Sequence, residues 1–212
     1  MSHGHFAHIA VVDDDRPLGE ALQLLLEAAD YRVDVYETAH AFLEGLDGTR
    51  PSCVLLDLYL PDMNGLDVLG LLQQLPDGPP PPVIIITGQG DVPVAVQAMR
   101  EGALDFVQKP IDAEPLLASV NAAVARDAEK LEVHDRRQES EQRLATLTPR
   151  ENQVMEGLLL GKTNKIIARD LDISPRTVEI HRARLMEKLQ VRSLAELVRV
   201  ALEIRPAPHH TA

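Results

Sequence analysis

The chain has 212 residues, of which 45% are hydrophobic, and its formal net charge at pH 7 is −12. This length suits one large domain or two small ones with packed cores, and no stretch approaches the roughly 18 to 20 apolar residues of a membrane span. The first residues lack the basic and apolar regions of a signal peptide, and one cysteine excludes an intrachain disulfide, so we expect a soluble, cytoplasmic protein with no membrane partner.

The charge is distributed unevenly along the chain. Residues 1–126 carry 19 acidic and 6 basic side chains, residues 127–143 carry 6 and 4, and residues 144–212 carry 8 and 11. An acidic front and a basic rear predict different partners, because only the rear has the charge that attracts a polyanion such as nucleic acid.

Residues 6–126 alternate between strand and helix patterns. Short apolar runs rich in β-branched residues predict buried strands, and the segments between them have a helical period. We therefore expect a doubly wound α/β domain with a five-stranded parallel sheet. The strands are predicted at 8–13, 31–35, 53–57, 83–87 and 104–108, and the helices at 16–28, 39–46, 65–75 and 92–101, with one more beginning after residue 112.

Polar side chains stand where the predicted strands end. The first strand ends at Asp13 with Asp14 next, the third ends at Asp57, the fourth ends at Thr87, and Lys109 follows the fifth. Because ligands collect at the carboxyl ends of the strands in such sheets, these side chains should converge in one crevice. Crowded carboxylates repel each other unless a cation neutralises them, which predicts a site for Mg²⁺.

The same crevice suits phosphoryl transfer. With the metal bound, a remaining carboxylate oxygen can attack a phosphoryl group, because aspartate is a known phosphoryl nucleophile. Lys109 would supply a fixed cation for the transferred oxygens and Thr87 a hydroxyl donor. The alternative is a solvent-exposed salt-bridge cluster without a ligand.

Residues 127–143 are predicted to form a charged linker. The segment contains no glycine or proline and is rich in helix-forming residues, so we expect a helical continuation of the last front-domain helix. A dimerising coiled coil is the alternative, although only Leu131, Val133 and Leu144 offer apolar anchors.

Residues 144–206 are predicted to form a small all-α domain. Thr148 and Glu151 have the spacing of a capping box at the start of its first helix, and Ser193 with Glu196 repeats that pattern at the start of the last. A short turn at 172–174 joins the middle two helices with helix-turn-helix dimensions. The four helices are predicted at 149–160, 164–171, 175–188 and 194–204.

The helix at 175–188 has the properties of a DNA-recognition helix. In a helix-turn-helix the second helix enters the major groove, where arginine can donate to guanine and glutamate can accept from cytosine. The alternative is a solvated charged face on a helical bundle, and the sequence leaves open whether His181 faces DNA or the bundle. The predicted contacts to double-stranded DNA are Lys165, Ser174, Arg176, Thr177, Glu179, Ile180, Arg182, Ala183 and Arg184.

The front domain resembles a known family in its motifs. It is similar to the receiver domain of bacterial response regulators, whose doubly wound, flavodoxin-like fold agrees with the strand pattern. The matching segments are VVDDD at 11–15, LD at 56–57, PDMNG at 61–65, TG at 87–88, and the stretch from GA at 102–103 through Phe106 to KP at 109–110.

The rear domain resembles the LuxR-type helix-turn-helix. Its matching segments are LTPRE at 147–151, NKIIA at 164–168 and SPRTVEIH at 174–181. Together the two resemblances cover nearly the whole chain and identify it as a member of the NarL/FixJ class of two-component response regulators, closest to the FixJ side.

The resemblance implies roles for the acidic side chains of the crevice. Asp57 would accept a phosphoryl group from a sensor histidine kinase. Asp14, Asp57 and the backbone carbonyl of Tyr59 would bind Mg²⁺ (or Mn²⁺), and Asp13 would act on the metal mostly through water.

The resemblance also implies how the signal leaves the crevice. Thr87 and Lys109 would contact the phosphoryl group and, with Phe106, report phosphorylation to the surface of helix 92–101 and strand 104–108. Related receivers dimerise through that surface, so we expect a homodimer on promoter DNA, with RNA polymerase as a candidate partner. The chain would regulate transcription, and its only catalysis would be its own phosphoryl transfer and slow dephosphorylation.

Two other functions stay open at this point. The chain could act by protein contact or as a phosphate reservoir, with a rear domain used only for self-association. An aspartate-based phosphatase would share the nucleophile and Mg²⁺, but it would need a general acid where Tyr59 stands.

Overall fold

The computed structural model describes residues 7–46, 48–76, 78–88 and 92–204. The chain divides into two compact units, Met1–Glu132 and Val133–Ala212. The front unit contains two clusters of buried hydrophobic residues and the rear unit contains a third, so each unit has a core of its own.

The front unit is built on a five-stranded parallel sheet, as predicted. The strands are β1 (His8–Val12), β2 (Arg32–Tyr36), β3 (Cys53–Asp57), β4 (Val83–Thr87) and β5 (Asp105–Gln108). Their order across the sheet is β2-β1-β3-β4-β5, so the order reverses between β1 and β3. The carboxyl ends of these two strands therefore flank the crevice in which such sheets bind ligands.

Helices cover both faces of the sheet. They are α1 (Arg16–Glu27), α2 (Ala39–Gly45), α3 (Gly65–Leu72), α4 (Val92–Arg100) and α5 (Ala113–Ala145). Side chains alternate between the faces along each strand, so Val54 packs with residues of α2, α3 and α4, whereas Leu55 packs with residues of α1 and α5. This arrangement confirms the doubly wound fold.

All four front helices that were predicted with an end finish one to three residues early; 16–28 ends at Glu27 and 39–46 at Gly45. The predicted helix 65–75 ends at Leu72, because Gln74 and Leu75 donate to carbonyls three residues back rather than four. The predicted helix 92–101 ends at Arg100, since Gly102 has a φ of 100° and turns the chain out of the helix. Strand 104–108 begins one residue later, at Asp105.

Helix α5 is 33 residues long and includes the predicted linker 127–143. Within that segment Asp127 is buried and accepts from both terminal nitrogens of Arg50, at 2.9 and 2.6 Å. Arg50 also donates to the carbonyl oxygen of Pro79. The front unit therefore reaches past residue 126 into the predicted linker. Among the described residues, no helix is both long enough and apolar enough to cross a bilayer.

The rear unit contains the four predicted helices. They are α6 (Pro149–Leu159), α7 (Asn164–Leu171), α8 (Pro175–Lys188) and α9 (Leu194–Ile204). At the start of α6, Thr148 and Glu151 exchange both hydrogen bonds of a capping box. At the start of α9, Ser193 accepts from the Glu196 N–H, but the Glu196 carboxylate accepts from Arg192 instead of Ser193. The second capping box is therefore only half formed.

Candidate functional site

The polar residues at the strand ends converge at one edge of the sheet. Carboxylate oxygens of Asp13, Asp14 and Asp57 all lie within 4.8 Å of one another. Lys109 Nζ lies 2.5 Å from Asp57 Oδ2 and 2.8 Å from Asp13 Oδ2. The Lys109 N–H donates to the Thr87 carbonyl at 2.8 Å, which fixes these two residues side by side at the ends of β5 and β4.

Most of this charged cluster is buried, which is unusual for ionisable side chains. Asp13 and Asp57 are 1% and 5% exposed and Thr87 is fully buried, whereas Asp14 faces solvent. Burial raises the pKa of Asp13, and the nearby charge of Asp57 adds to this, although Lys109 and the Asp15 N–H oppose it. Burial also opposes the charge of Lys109, but its contacts with Asp13 and Asp57 outweigh that effect and raise its pKa.

The carboxylates are suited to hold a divalent cation. Asp13 Oδ1 accepts from the Asp15 N–H at 2.9 Å, but its buried Oδ2 has no hydrogen bond of good geometry, although it lies beside Lys109. The cluster has three acidic side chains but one lysine, which contacts Asp13 and Asp57, so it has spare negative charge and spare oxygen lone pairs. A hard cation such as Mg²⁺ takes such oxygens as ligands.

The loop after Asp57 is held tightly against the end of β3. The Tyr59 N–H donates to Asp57 Oδ1 at 3.0 Å, and Tyr59 pairs with Asn64 in an isolated antiparallel bridge. The Gly65 N–H donates to Leu58 O at 2.8 Å, and a Cβ at Gly65 would lie 2.4 Å from the Asp57 carbonyl oxygen. The carbonyl of Tyr59, a predicted metal ligand, stands on this loop.

Phe106, the predicted switch residue, lies on the same face of the sheet as Thr87. It pairs with Ile85 across β4 and β5 and packs, partly buried, against the cluster that includes α2, α3 and α4. On α4 the side chains of Val96 and Met99 are 44% and 48% exposed. The front unit therefore presents apolar side chains on the helix where a dimer surface is predicted.

The second candidate site is the surface of α7 and α8 in the rear unit. Asp172 ends α7 in a left-handed conformation with a φ of 53°, and Ser174 Oγ accepts from the Thr177 N–H at 3.0 Å to start α8. Val178 and Leu185 are fully buried against the other rear helices. These apolar positions therefore form the inward face of α8.

The predicted DNA contacts lie on the outward side of these helices. The residues that are exposed are Lys165, Ser174, Arg176, Glu179, Ile180, Ala183 and Arg184, and those that are half-buried are Thr177 and Arg182. The imidazole of His181 turns Nδ1 into the protein, where this atom has no hydrogen-bond partner. This nitrogen therefore faces the bundle rather than an outside ligand.

Several interactions were not visible in the sequence pattern. Lys188 Nζ lies 2.7 Å from Glu151 Oε2 and 2.9 Å from the Thr146 carbonyl oxygen, which joins the C-terminal end of α8 to the start of α6. Hydrogen bonds from Lys188 and from the Thr148 N–H hold the pKa of Glu151 at about 2. Asp62, inside the PDMNG motif, reaches the start of α2. Only the capping position of Glu151 gave a signal in the sequence.

Family models match both units. Residues 9–121 match the response regulator receiver domain, and residues 145–201 match the luxR family of bacterial regulatory proteins. The chain is also similar over nearly its whole length to known regulatory proteins. The transcriptional regulatory protein FixJ of Bradyrhizobium diazoefficiens is 43% identical over 92% of this chain and 94% of its own length. The response regulator protein TodT of Pseudomonas putida is 37% identical over 93% and 86%.

Solved structures give the same result. The structure of the response regulator StyR has a TM-score of 0.81 and 36% sequence identity, and the match covers 92% of this chain and 98% of StyR. A crystal structure of full-length FixJ from B. japonicum has a TM-score of 0.55 and 42% identity, covering 94% and 97%. The similarity therefore extends across both units.

Proposed function

Because the chain belongs to the bacterial response regulators that join a receiver domain to a LuxR-type DNA-binding domain, we propose that Asp57 accepts a phosphoryl group from a sensor histidine kinase. The chain is a transcriptional response regulator, and the phosphoryl group is its proposed input. The observation that supports this most directly is the position of Asp57, a nearly buried carboxylate at the end of β3 that contacts Lys109 and lies beside two more acids.

The residues of the crevice have different proposed roles in phosphoryl transfer. Asp14, Asp57 and the Tyr59 carbonyl would hold Mg²⁺ (or Mn²⁺), with Asp13 acting mostly through water, and the ion would supply positive charge for the phosphoryl oxygens. A carboxylate oxygen of Asp57 forms a bond to phosphorus as the P–N bond of a phosphohistidine donor breaks, and the departing imidazole takes a proton from solvent. Lys109 remains beside Asp57 throughout as a fixed cation.

The signal would leave the crevice through Thr87 and Phe106. Phosphorylation adds roughly one negative charge and three acceptor oxygens, which attract the Thr87 hydroxyl and Lys109. Movement of Thr87 frees space along β4, on the face where Phe106 packs, and Phe106 turns inward. The surface of α4 and β5 changes as a result, and two receivers dimerise through it.

Dimerisation would raise the affinity for DNA. Two linked rear units present two copies of α8 to adjacent half-sites, and the effective concentration of the second copy exceeds its free concentration. Arg176 and Glu179 are exposed on the first turns of α8, where base edges are read. RNA polymerase is a candidate partner at the promoter. Binding to promoter DNA would place the protein in the cytoplasm, and we propose no catalysis beyond its own phosphoryl transfer and slow dephosphorylation.

The test follows phosphate, assembly and DNA binding in one preparation. The full chain is incubated with Mg²⁺ and a small acyl phosphate, and its intact mass, its oligomeric state and the duplexes it selects from a random pool are compared before and after. We expect one phosphoryl group on Asp57, a shift to dimer, and tighter, salt-sensitive binding to a specific duplex. Absence of phosphate on Asp57 would contradict the proposal, and phosphorylation without DNA selection would favour a phosphate reservoir.

A further inference from the structure

One carboxylate ties the loop after Asp57 to the start of α2. Asp62 Oδ1 accepts from the Ala39 N–H at 3.0 Å, and Asp62 Oδ2 accepts from the His40 N–H at 2.9 Å. Asp62 Oδ2 also lies 2.5 Å from His40 Nδ1. Asp62 as a whole residue is exposed, but its side chain is 22% exposed and both of its carboxylate oxygens contact the start of α2.

Asp62 completes a helix cap that α2 cannot complete from its own sequence. Thr38 accepts from the Ala41 N–H at 3.2 Å, which leaves the first two N–H groups of α2, those of Ala39 and His40, without a local acceptor. The acceptor comes instead from Asp62, 22 residues from His40 along the chain.

The start of α2 favours the charged form of the Asp62 carboxylate. The His40 N–H, together with the His40 imidazole and the Ala39 N–H, lowers the pKa of Asp62 to about 2. The carboxylate therefore stays ionised near neutral pH, where an anion is favoured at the N-terminus of a helix.

The other end of the same loop is bonded to the phosphoryl acceptor. Tyr59 contacts Asp57 through its N–H and pairs with Asn64, and Gly65 closes the loop by donating to Leu58. Asp62 lies between these fixed points and supplies the loop's hydrogen bonds to α2. A shift at Asp62 is therefore transmitted through a short, closed segment to the backbone of Tyr59.

We propose that Asp62 is a positioning residue, which holds loop 58–64 against α2 and thereby places the Tyr59 carbonyl for a divalent cation and the Tyr59 N–H for Asp57. This inference rests on the proposed function. Loss of the Asp62 contacts leaves Asp57 and Lys109 in place but releases a backbone ligand. The cation binds more weakly, while the rate of phosphorylation at saturating Mg²⁺ changes little.

The experiment compares two variants that each remove one cap from α2. Asp62→Ala removes the cap that comes from the loop, and Thr38→Ala removes the cap that belongs to the helix. Mg²⁺ binding to the unphosphorylated full chain is measured by titration calorimetry at a temperature where both variants are folded. Outer contacts that orient metal ligands are typically worth about tenfold or more in affinity, so we expect that loss in Asp62→Ala and less than about a twofold change in Thr38→Ala.

Two further measurements separate positioning from general damage. Backbone amides of loop 58–64 should exchange hydrogen faster in metal-free Asp62→Ala than in Thr38→Ala. The Mg²⁺ concentration for half-maximal phosphorylation should rise in Asp62→Ala with little change in the maximal rate. If Asp62→Ala does not fold, Asp62→Asn and His40→Ala should each give a smaller loss of Mg²⁺ affinity, because each keeps part of the contact.

The outcomes distinguish this inference from the proposed function. Wild-type affinity in Asp62→Ala, or in both substitutes, would overturn the positioning role, and so would an equal loss in Thr38→Ala. If the wild-type chain itself neither binds Mg²⁺ nor gains phosphate on Asp57, the proposed function fails instead.

Discussion

Each unit contains a buried carboxylate that contacts a lysine, Asp13 in the front unit and Glu151 in the rear unit. Asp13 Oδ2 lies 2.8 Å from Lys109 Nζ at the front crevice, and Glu151 Oε2 lies 2.7 Å from Lys188 Nζ in the rear unit. The two acids are 1% and 2% exposed. Burial and the presence of a lysine therefore do not distinguish a reactive cluster from a structural pair.

The two carboxylates differ in how fully they are satisfied. Glu151 accepts from Lys188 and from the Thr148 N–H, and its pKa falls to about 2. Asp13 shares its lysine with Asp57 and keeps an oxygen without a directed hydrogen bond, and burial raises its pKa. A satisfied pair stabilises a fold, whereas crowded carboxylates with spare lone pairs can bind a cation or react.

The largest expected effect comes from replacing an acid of the crevice, Asp57, or the acid of the rear pair, Glu151, with its neutral amide. Asp57→Asn should abolish phosphorylation, but the free energy of unfolding should change by less than about 1 kcal/mol, because the lost contact with Lys109 is offset by relief of repulsion from Asp13. Glu151→Gln should cost about 1 to 3 kcal/mol and leave phosphorylation unchanged. Intact mass and urea denaturation measure both effects. Equal destabilisation in the two variants would contradict the distinction.

The front crevice should also depend on the close approach of its loop. In Gly65→Ala the new methyl group would press on the Asp57 carbonyl oxygen and on Leu58 Cα. Both are backbone atoms, so they cannot move away as easily as a flexible side chain could. We expect a loss of about 2 to 3 kcal/mol in unfolding free energy, as for overpacked cores, and slower phosphorylation of Asp57.

The control for this substitution is Gly70, which lies further along the same helix. A Cβ at Gly70 meets nothing within 4 Å, so Gly70→Ala should stabilise α3 by about 0.5 to 1 kcal/mol, the usual difference between the two residues in a helix. A loss in Gly70→Ala as large as that in Gly65→Ala would show that the close approach to Asp57 is not the cause.

A smaller effect is expected when the rear pair loses its cation. Lys188→Met leaves Glu151 covered and without its charged partner, but the lysine side chain is 34% exposed, so the cost should be about 1 to 2 kcal/mol, below that of a fully buried pair. Lys162→Met breaks a more exposed pair with Asp170 and should cost less than about 0.5 kcal/mol. Thermal or urea denaturation measures both losses of stability. Equal losses in Lys188→Met and Lys162→Met would mean that the burial of Glu151 does not strengthen its ion pair.

The crevice could be predicted from the sequence better than the contacts that support it. The sequence places Asp57 and Lys109 together through short apolar strand runs and through the rule that parallel strands end at one edge. The contacts of Arg50 with Asp127, 77 residues apart, and of Asp62 with the start of α2 depend on the paths of loops, which no periodic pattern encodes. Local order was therefore predictable from the sequence, whereas pairing between distant loops and helices was not.

The smallest expected effect is a difference in acid sensitivity. The pKa of Glu151 in the folded protein, about 2, lies below its ordinary value of 4.5. Its contribution to stability is therefore complete above pH 4.5 and is lost as the pH falls through about 2.

Other carboxylates titrate in the same range, so the quantity to measure is the difference in stability between wild type and Glu151→Gln. That difference in urea midpoint should shrink steadily between about pH 5 and about pH 2.5, because protonation removes from the wild type the charge that the variant already lacks. A difference that stays constant over this range would show that the charge on Glu151 does not stabilise the rear unit.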